Sequence, residues 1–436
     1  MSIWSQAEAM AAKTPEERNR YVDFLRAASI LFVITGHWLI ATAFYQDGSL
    51  QPGDMLEIQP WTRWLTWLFQ VMPIFFIVGG YSNAVSLESA RRRGVDYAGW
   101  LAARLHRLVT PLLVLLLIWA ALAIIMRFFG ASREVIQLAS QASLIPIWFL
   151  AIYIMIVVLA PSTYAAWRRW GFASFWVFAA LAVLMDIAFF RFGQQWLGWS
   201  NYFWVWLAVH HLGYSWRDGR MGSPARLVGY AVLGLAVLML LIFAGPYPLA
   251  MAGSPGESVS NTLPPKVTLL ALGILQFSLL LAIEAPMRRL LSGRRLWTAT
   301  VLINSMIMTI YLWHITILVV LVALAYLAGG VGLTPEPGTA EWWLSRPLWL
   351  IVLSAALLPV ALPLATLERR SLPADRAVPN APRLVGGAAL ICLGVAMLAL
   401  YGFGGGPWQG FDVTSIVLVL VGASVCGLLP ALKRQR

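Results

Sequence analysis

Eleven positions separate Arg26 from His37 in the first apolar stretch of the chain. At 3.6 residues per turn that interval turns a helix by about 1100°, so the two side chains fall within about 20° of one face, about 16 Å apart along the axis. One face thus carries a cation at the mouth of the helix and a titratable imidazole deep in the membrane, where such groups usually mark function. The plain alternative is an arginine snorkelling to the headgroups and a histidine bonded to a neighbouring helix. Asp23, three residues before Arg26, is placed either to orient it or to cap the helix start.

Arg104 and Arg107 form a second candidate, three residues apart ahead of Pro111 just before the third apolar stretch. On a helical turn they share a face and could grip a phosphate jointly; such a pair taken alone is more often an ordinary cluster flanking a membrane helix. Gly79-Gly80 permits close helix packing or a break. A later stretch carries Asn304, Ser305, Tyr311 and His314, with His314 near mid-membrane. A lone histidine there is more often a structural hydrogen-bond partner than a catalyst. Cys392 and Cys426 sit in apolar runs and offer neither a disulfide framework nor metal spacing.

The elements that must position these residues are membrane helices. Of the 436 residues 60% are hydrophobic and 11% charged, far from the balance of a soluble domain. The 22 Trp and 13 Tyr fit a chain whose helix ends are anchored repeatedly at the lipid interface. Apolar runs near 21–45, 64–87, 108–129, 144–160, 172–190, 196–215, 225–247, 266–285, 298–328, 346–367, 384–403 and 412–431 predict an all-α polytopic bundle of about twelve helices. The connecting segments alternate in charge, 24 basic residues on one side and six on the other, so the rich side and both termini are expected in the cytoplasm. The net charge of +12 is therefore a topology signal and implies no nucleic-acid partner. Ala41-Thr42-Ala43 looks like a signal cleavage site, but Asp23, Arg26 and His37 interrupt the preceding stretch, and the first helix is expected to be retained. Residues 1–20 read as a cytoplasmic tail, 21–368 as a membrane core of ten helices, and 384–436 as an appended helix pair with a short basic tail.

Together these segments resemble the acyltransferase-3 family of integral-membrane acyltransferases. The resemblance runs from residue 20 to about 316. It rests on "RYVDFLRAASILFVITGH" with Arg26 and His37, on "FFIVGGYSN", on "RLHRLVTPL" with Arg104 and Arg107, on "WFL" at 148–150 and on "NSMIMTIYLWHI". It implies transfer of an acyl group, commonly acetyl, from cytoplasmic acyl-CoA to a hydroxyl of a cell-envelope glycan, a lipid-linked or glycolipid acceptor, or a secreted small molecule, in a multi-pass protein of a bacterial inner membrane. By the same resemblance His37 carries the acyl chemistry, Arg26, Arg104 and Arg107 contact acyl-CoA, and Asp23, Asn304, Tyr311 and His314 support the site, with no metal. General base and acyl-imidazole both remain open for His37. Gly79-Gly80-Tyr81 departs from the family's frequent Ser-Gly-Phe, and Ile-Thr follows His314 where proline is frequent.

A proton-coupled secondary transporter is the main rival, since it also uses twelve helices and buried His, Arg and Asp186. No internal repeat links the two halves, and the buried charges concentrate in the first three helices. A haem bundle would need histidines paired at similar depth, and His210 and His211 are expected near the cytoplasmic end of their helix.

Overall fold

The structure, a computed structural model, describes residues 3–254, 256–368, 377–404 and 412–429. Helices α1 (Ile3–Ala12) and α2 (Arg20–Ile40) precede a hairpin of β1 (Ala41–Gln46) and β2 (Ser49–Asp54). There follow α3 (Met72–Arg92), α4 (Tyr97–Phe128), α5 (Arg133–Leu144), α6 (Ile147–Trp170), α7 (Phe172–Arg191), α8 (Asn201–Arg217) and α9 (Pro224–Phe243). The chain continues with α10 (Val267–Ala282), α11 (Glu284–Leu290), α12 (Arg294–Asn304), α13 (Ile307–Leu327), α14 (Ala340–Glu368), α15 (Ala381–Tyr401) and α16 (Val413–Val425). The fold is all-α apart from the one hairpin among the described residues.

Each of the twelve predicted stretches contains a helix. Among the described residues nine helices are long and apolar enough to cross a membrane, or ten if α10 and α11, bent by 57°, count as one span. The expected twelve is reached only by adding α8 and α16, of 17 and 13 residues. The basic residues Arg369, Arg370, Arg376, Lys433, Arg434 and Arg436, which enter the charge count, lie outside the described residues.

Local chemistry sets the helix ends. Asn19 caps α2 by accepting from the backbone N–H groups of Tyr21 and Val22. Asp96 caps α4 and Ser132 caps α5 in the same way. The hairpin turns on Asp47-Gly48, both at positive φ, as a two-residue turn requires.

The chain forms two compact units. The first comprises residues 1–86, 162–305 and 334–346; the second comprises 87–161, 306–333 and 347–436. In the first, the segment expected as a tail contains α1, which packs on α12: Ala7 is fully buried, Glu8 pairs with Arg294, and Thr14 accepts from the Trp297 indole. In the second, α15 of the C-terminal pair packs on α4, α5 and α16. Its Gly387 faces Gly422 of α16 so closely that a Cβ there would stand 2.8 Å from the Gly422 carbonyl oxygen.

Candidate active site

The first unit assembles a charged group at the start of α2. Asp23 lies on the first turn with its side chain 7% exposed, and its two oxygens accept from Arg18 at 2.5 and 3.1 Å and from Arg26 at 3.4 Å. Asn19 does the capping, so Asp23 acts on the arginines. Arg26 donates its other nitrogen to the Ser82 hydroxyl at 2.6 Å, which ties α2 to the "GGYSN" segment of α3. Asn304 closes the group, its amide donating to the Asp23 and Thr300 carbonyls at 2.9 Å each. A charge-assisted network of this kind holds a guanidinium in one geometry.

Helix α2 runs unbroken from this group to His37. The expected common face of Arg26 and His37 is therefore kept, with an axial spacing of about 16 Å. The depth differs from expectation. The helix ends at Ile40 because the chain turns into β1, so the half-buried His37 stands in the last turn, where its carbonyl accepts from the Ala41 N–H. An apolar slot of about 30 Å³ opens between Gly36, Leu39 and Ile40 of α2 and Leu56, Phe69 and Trp343. It faces about 100° away from His37 around the helix, and so is not in line with the imidazole.

Gly80 does the packing that its type permits, and α3 runs through it without a break. A Cβ on Gly80 would overlap the His210 carbonyl oxygen, and one on Gly213 would stand 2.9 Å from Gly80 Cα. The two backbones of α3 and α8 are in contact there, which only glycine allows. One turn further along, the amide of Asn83 donates to His210 Nε2 at 3.2 Å. His210 and His211 stand in the middle of α8 and not at its end, both fully buried. Asn83 Oδ1 and His210 Nδ1 have no hydrogen-bond partner among the described residues.

The remaining sequence candidates belong to the second unit. Arg104 and Arg107 are not ahead of a helix but inside α4, which begins at Tyr97, seven residues before Arg104, after its Asp96 cap; the i, i+3 spacing does place them on one face. Arg104 lies over the Trp100 ring at 5.7 Å, and Arg107 is exposed. Asn304 and the pair Tyr311 and His314 were expected on one helix. The chain breaks after Asn304, with Met306 at φ −134° and ψ 20° between α12 and α13. Tyr311 donates to the Pro146 carbonyl at 2.8 Å and meets Phe149 of "WFL" edge-on. His314 donates Nδ1–H to the Tyr311 carbonyl of its own helix at 2.5 Å, a contact that anchors the ring. Among the described residues no three His, Cys, Asp or Glu side chains converge as a metal site.

A family model for an acyltransferase domain matches residues 19–367. The chain belongs to the acyltransferase-3 family. No curated protein and no solved structure matches it. This family member is a multi-pass membrane acyltransferase.

Reading the sequence of this acyltransferase left out three participants. Arg18 and Ser82 complete the setting of Arg26, and Asn83 meets His210. Ser82 and Asn83 close the segment "FFIVGGYSN", directly after Tyr81. This polar pair was the available signal, because polar side chains on a membrane helix must find partners.

Proposed function

We propose that the protein transfers an acetyl or other short acyl group from cytoplasmic acyl-CoA to a hydroxyl of a cell-envelope glycan, glycolipid or secreted metabolite, and that it does so from a bacterial inner membrane. One observation carries the proposal: the unbroken α2 holds Arg26, fixed by Asp23 and Ser82, on the same face as His37. With the basic ends of the helices in the cytoplasm, the phosphates of CoA dock on arginines that stay in water, and the pantetheine arm spans about 16 Å to the imidazole.

At that point His37 takes the proton of the acceptor hydroxyl, whose oxygen attacks the thioester carbonyl. The carbon–sulfur bond breaks, the ester forms, and the imidazolium returns its proton to the departing thiolate. In the covalent variant the imidazole itself attacks the thioester and expels the CoA thiolate; the hydroxyl then attacks the acyl-imidazole, the carbon–nitrogen bond breaks, and the hydroxyl proton passes to the freed imidazole or the thiolate. Arg104 and Arg107, two guanidiniums on one face of α4, are by themselves a pair suited to gripping a phosphate.

The test is acyl transfer by purified protein in lipid, read as free CoA thiol released on addition of an envelope-glycan acceptor. Wild type releases thiol and His37→Ala does not. A transporter would move substrate across the bilayer without consuming acyl-CoA, and thiol release equal in both proteins would remove His37 from the chemistry. Mass spectrometry of envelopes with and without the protein identifies the acceptor.

A further inference from the structure

An open concavity of about 470 Å³ in the first unit is lined by Arg168 at the end of α6 and by Arg217, Asp218 and Arg220 at the end of α8. Its size is that of a small-molecule site, and its lining side chains carry a net charge of +2. The group is built, not merely clustered. The Asp218 carboxylate accepts from Arg217 Nη1 at 2.8 Å and from the Trp167 indole N–H at 2.9 Å. Burial pushes this carboxyl up, but the hydrogen bonds of Trp167 and Arg217 and the charges of Arg217 and Arg220 outweigh it, so it sits below the usual carboxylate range. Trp167 is itself buried, and the Arg220 guanidinium lies over its ring at 5.6 Å. Gly171, at φ +56° between α6 and α7, lets the chain pass so close that a Cβ there would stand 3.1 Å from Arg220 Nη1.

A cluster that only sets topology needs net charge, with no fixed geometry. Here a buried indole and a carboxylate position two of three guanidiniums, and a planar guanidinium matches phosphate oxygens two at a time. Trp216, next to Arg217 in the chain, has its ring 4.8 Å from that of Tyr81, next to Ser82, so α8 packs on the α3 segment that bonds Arg26.

We propose that this concavity binds a phosphate-bearing anion through Arg168, Arg217 and Arg220. The phosphate comes either from a soluble phosphoester such as the nucleotide end of CoA, in which case the inference rests on the acyl-CoA reading, or from the headgroup of an anionic phospholipid, in which case it does not.

The experiment uses the full chain in nanodiscs and two probes. In discs of zwitterionic lipid, 3′,5′-ADP and inorganic pyrophosphate are titrated while thermal unfolding is followed. In parallel the zwitterionic lipid is replaced stepwise by phosphatidylglycerol. Arg168→Gln with Arg220→Gln is compared with wild type and with Arg91→Gln and Arg92→Gln, a control that removes the same charge elsewhere. Protection of Arg168, Arg217 and Arg220 from phenylglyoxal is mapped in wild type by mass spectrometry, so that a misfolded variant does not decide the result. Stabilisation by the soluble probes, weakened at least about tenfold in the concavity variant but not in the control, supports the soluble source. Stabilisation by anionic lipid alone, with the same dependence on the variant, supports the headgroup. A wild type that responds to neither probe, or responses and protection that ignore the concavity arginines, overturns the proposal. His37→Ala leaves these readouts unchanged, so the result is independent of whether His37 carries the acyl chemistry.

Discussion

Arg26 of α2 donates to the hydroxyl of Ser82 on α3 at 2.6 Å, joining the two most telling segments of the sequence by one charge-assisted bond. Loss of a hydrogen bond to a charged group costs about 1.5–3 kcal/mol, about tenfold or more in an equilibrium or rate. Ser82→Ala is expected to lower kcat/KM for acyl-CoA by at least about tenfold, while Ser82→Thr, which keeps the hydroxyl, stays near wild type. Equal kinetics for Ser82→Ala and wild type would reduce the bond to packing.

The two histidines should behave differently. His37→Ala is expected to abolish transfer while leaving the protein folded and able to bind acyl-CoA. His314→Ala is expected to be milder and to act on stability, because its ring is bonded to the carbonyl one turn back on its own helix. Transfer rates and unfolding midpoints measured on both variants check this, and the reverse ranking would move the chemistry to α13.

Gly80→Ala forces a methyl group into the α8 backbone. Overpacking of this kind costs about 1–3 kcal/mol, and here no flexible side chain is available to yield. The unfolding midpoint is expected to fall by several degrees. Gly229→Ala on α9, where nothing lies within 4 Å of the added methyl, should be neutral or slightly stabilising. If both variants unfold alike, the α3–α8 contact is looser than described.

Orientation is open to cysteine labelling without background, because Cys392 and Cys426 are buried. Single cysteines at the exposed positions Gln51 and Glu336 are expected to react with an impermeant reagent from outside. Those at Ser223 and Ser292, also exposed, are expected to react only after the membrane is opened. The opposite pattern would place the arginine-rich ends outside and remove acyl-CoA as donor.

Burial pushes the Asp54 carboxyl up to about 6, although it accepts from the Leu56 N–H at 2.7 Å. A carboxyl whose folded value exceeds its unfolded value of about 3.9 favours folding when protonated, so stability falls as pH rises from about 4 to about 6 and the full cost is present above that. Asp54→Asn keeps the capping acceptor and is expected to gain about 1 kcal/mol at pH 8, after allowance for screening of a half-buried group, and nothing below pH 4. Unfolding midpoints across that range check the sign.

The sequence made some of this legible and hid the rest for physical reasons. The common face of Arg26 and His37, and that of Arg104 and Arg107, follow from helical periodicity alone, and the structure keeps both because α2 and α4 are unbroken. The end of α2 at Ile40 was obscured by apolar residues that continue into β1, although Asp47-Gly48 is a recognisable hairpin turn. In the apolar run 298–328 the polar Asn304-Ser305 is too short a dip to mark by itself the break that separates Asn304 from Tyr311 and His314. The bonds Arg26–Ser82 and Asn83–His210 depend on which helices cross, and that is set by glycines whose partner, Gly213, is 133 positions further along the chain.

The meeting of Gly80 and Gly213 has a mechanical consequence. Two helices whose main chains touch have no layer of side chains between them to act as a bearing, so α3 and α8 are expected to move together as one beam. Ser82 and Asn83 ride on that beam, and so does the hydrogen bond that steadies Arg26. A carrier that works by rocking would have to hinge elsewhere.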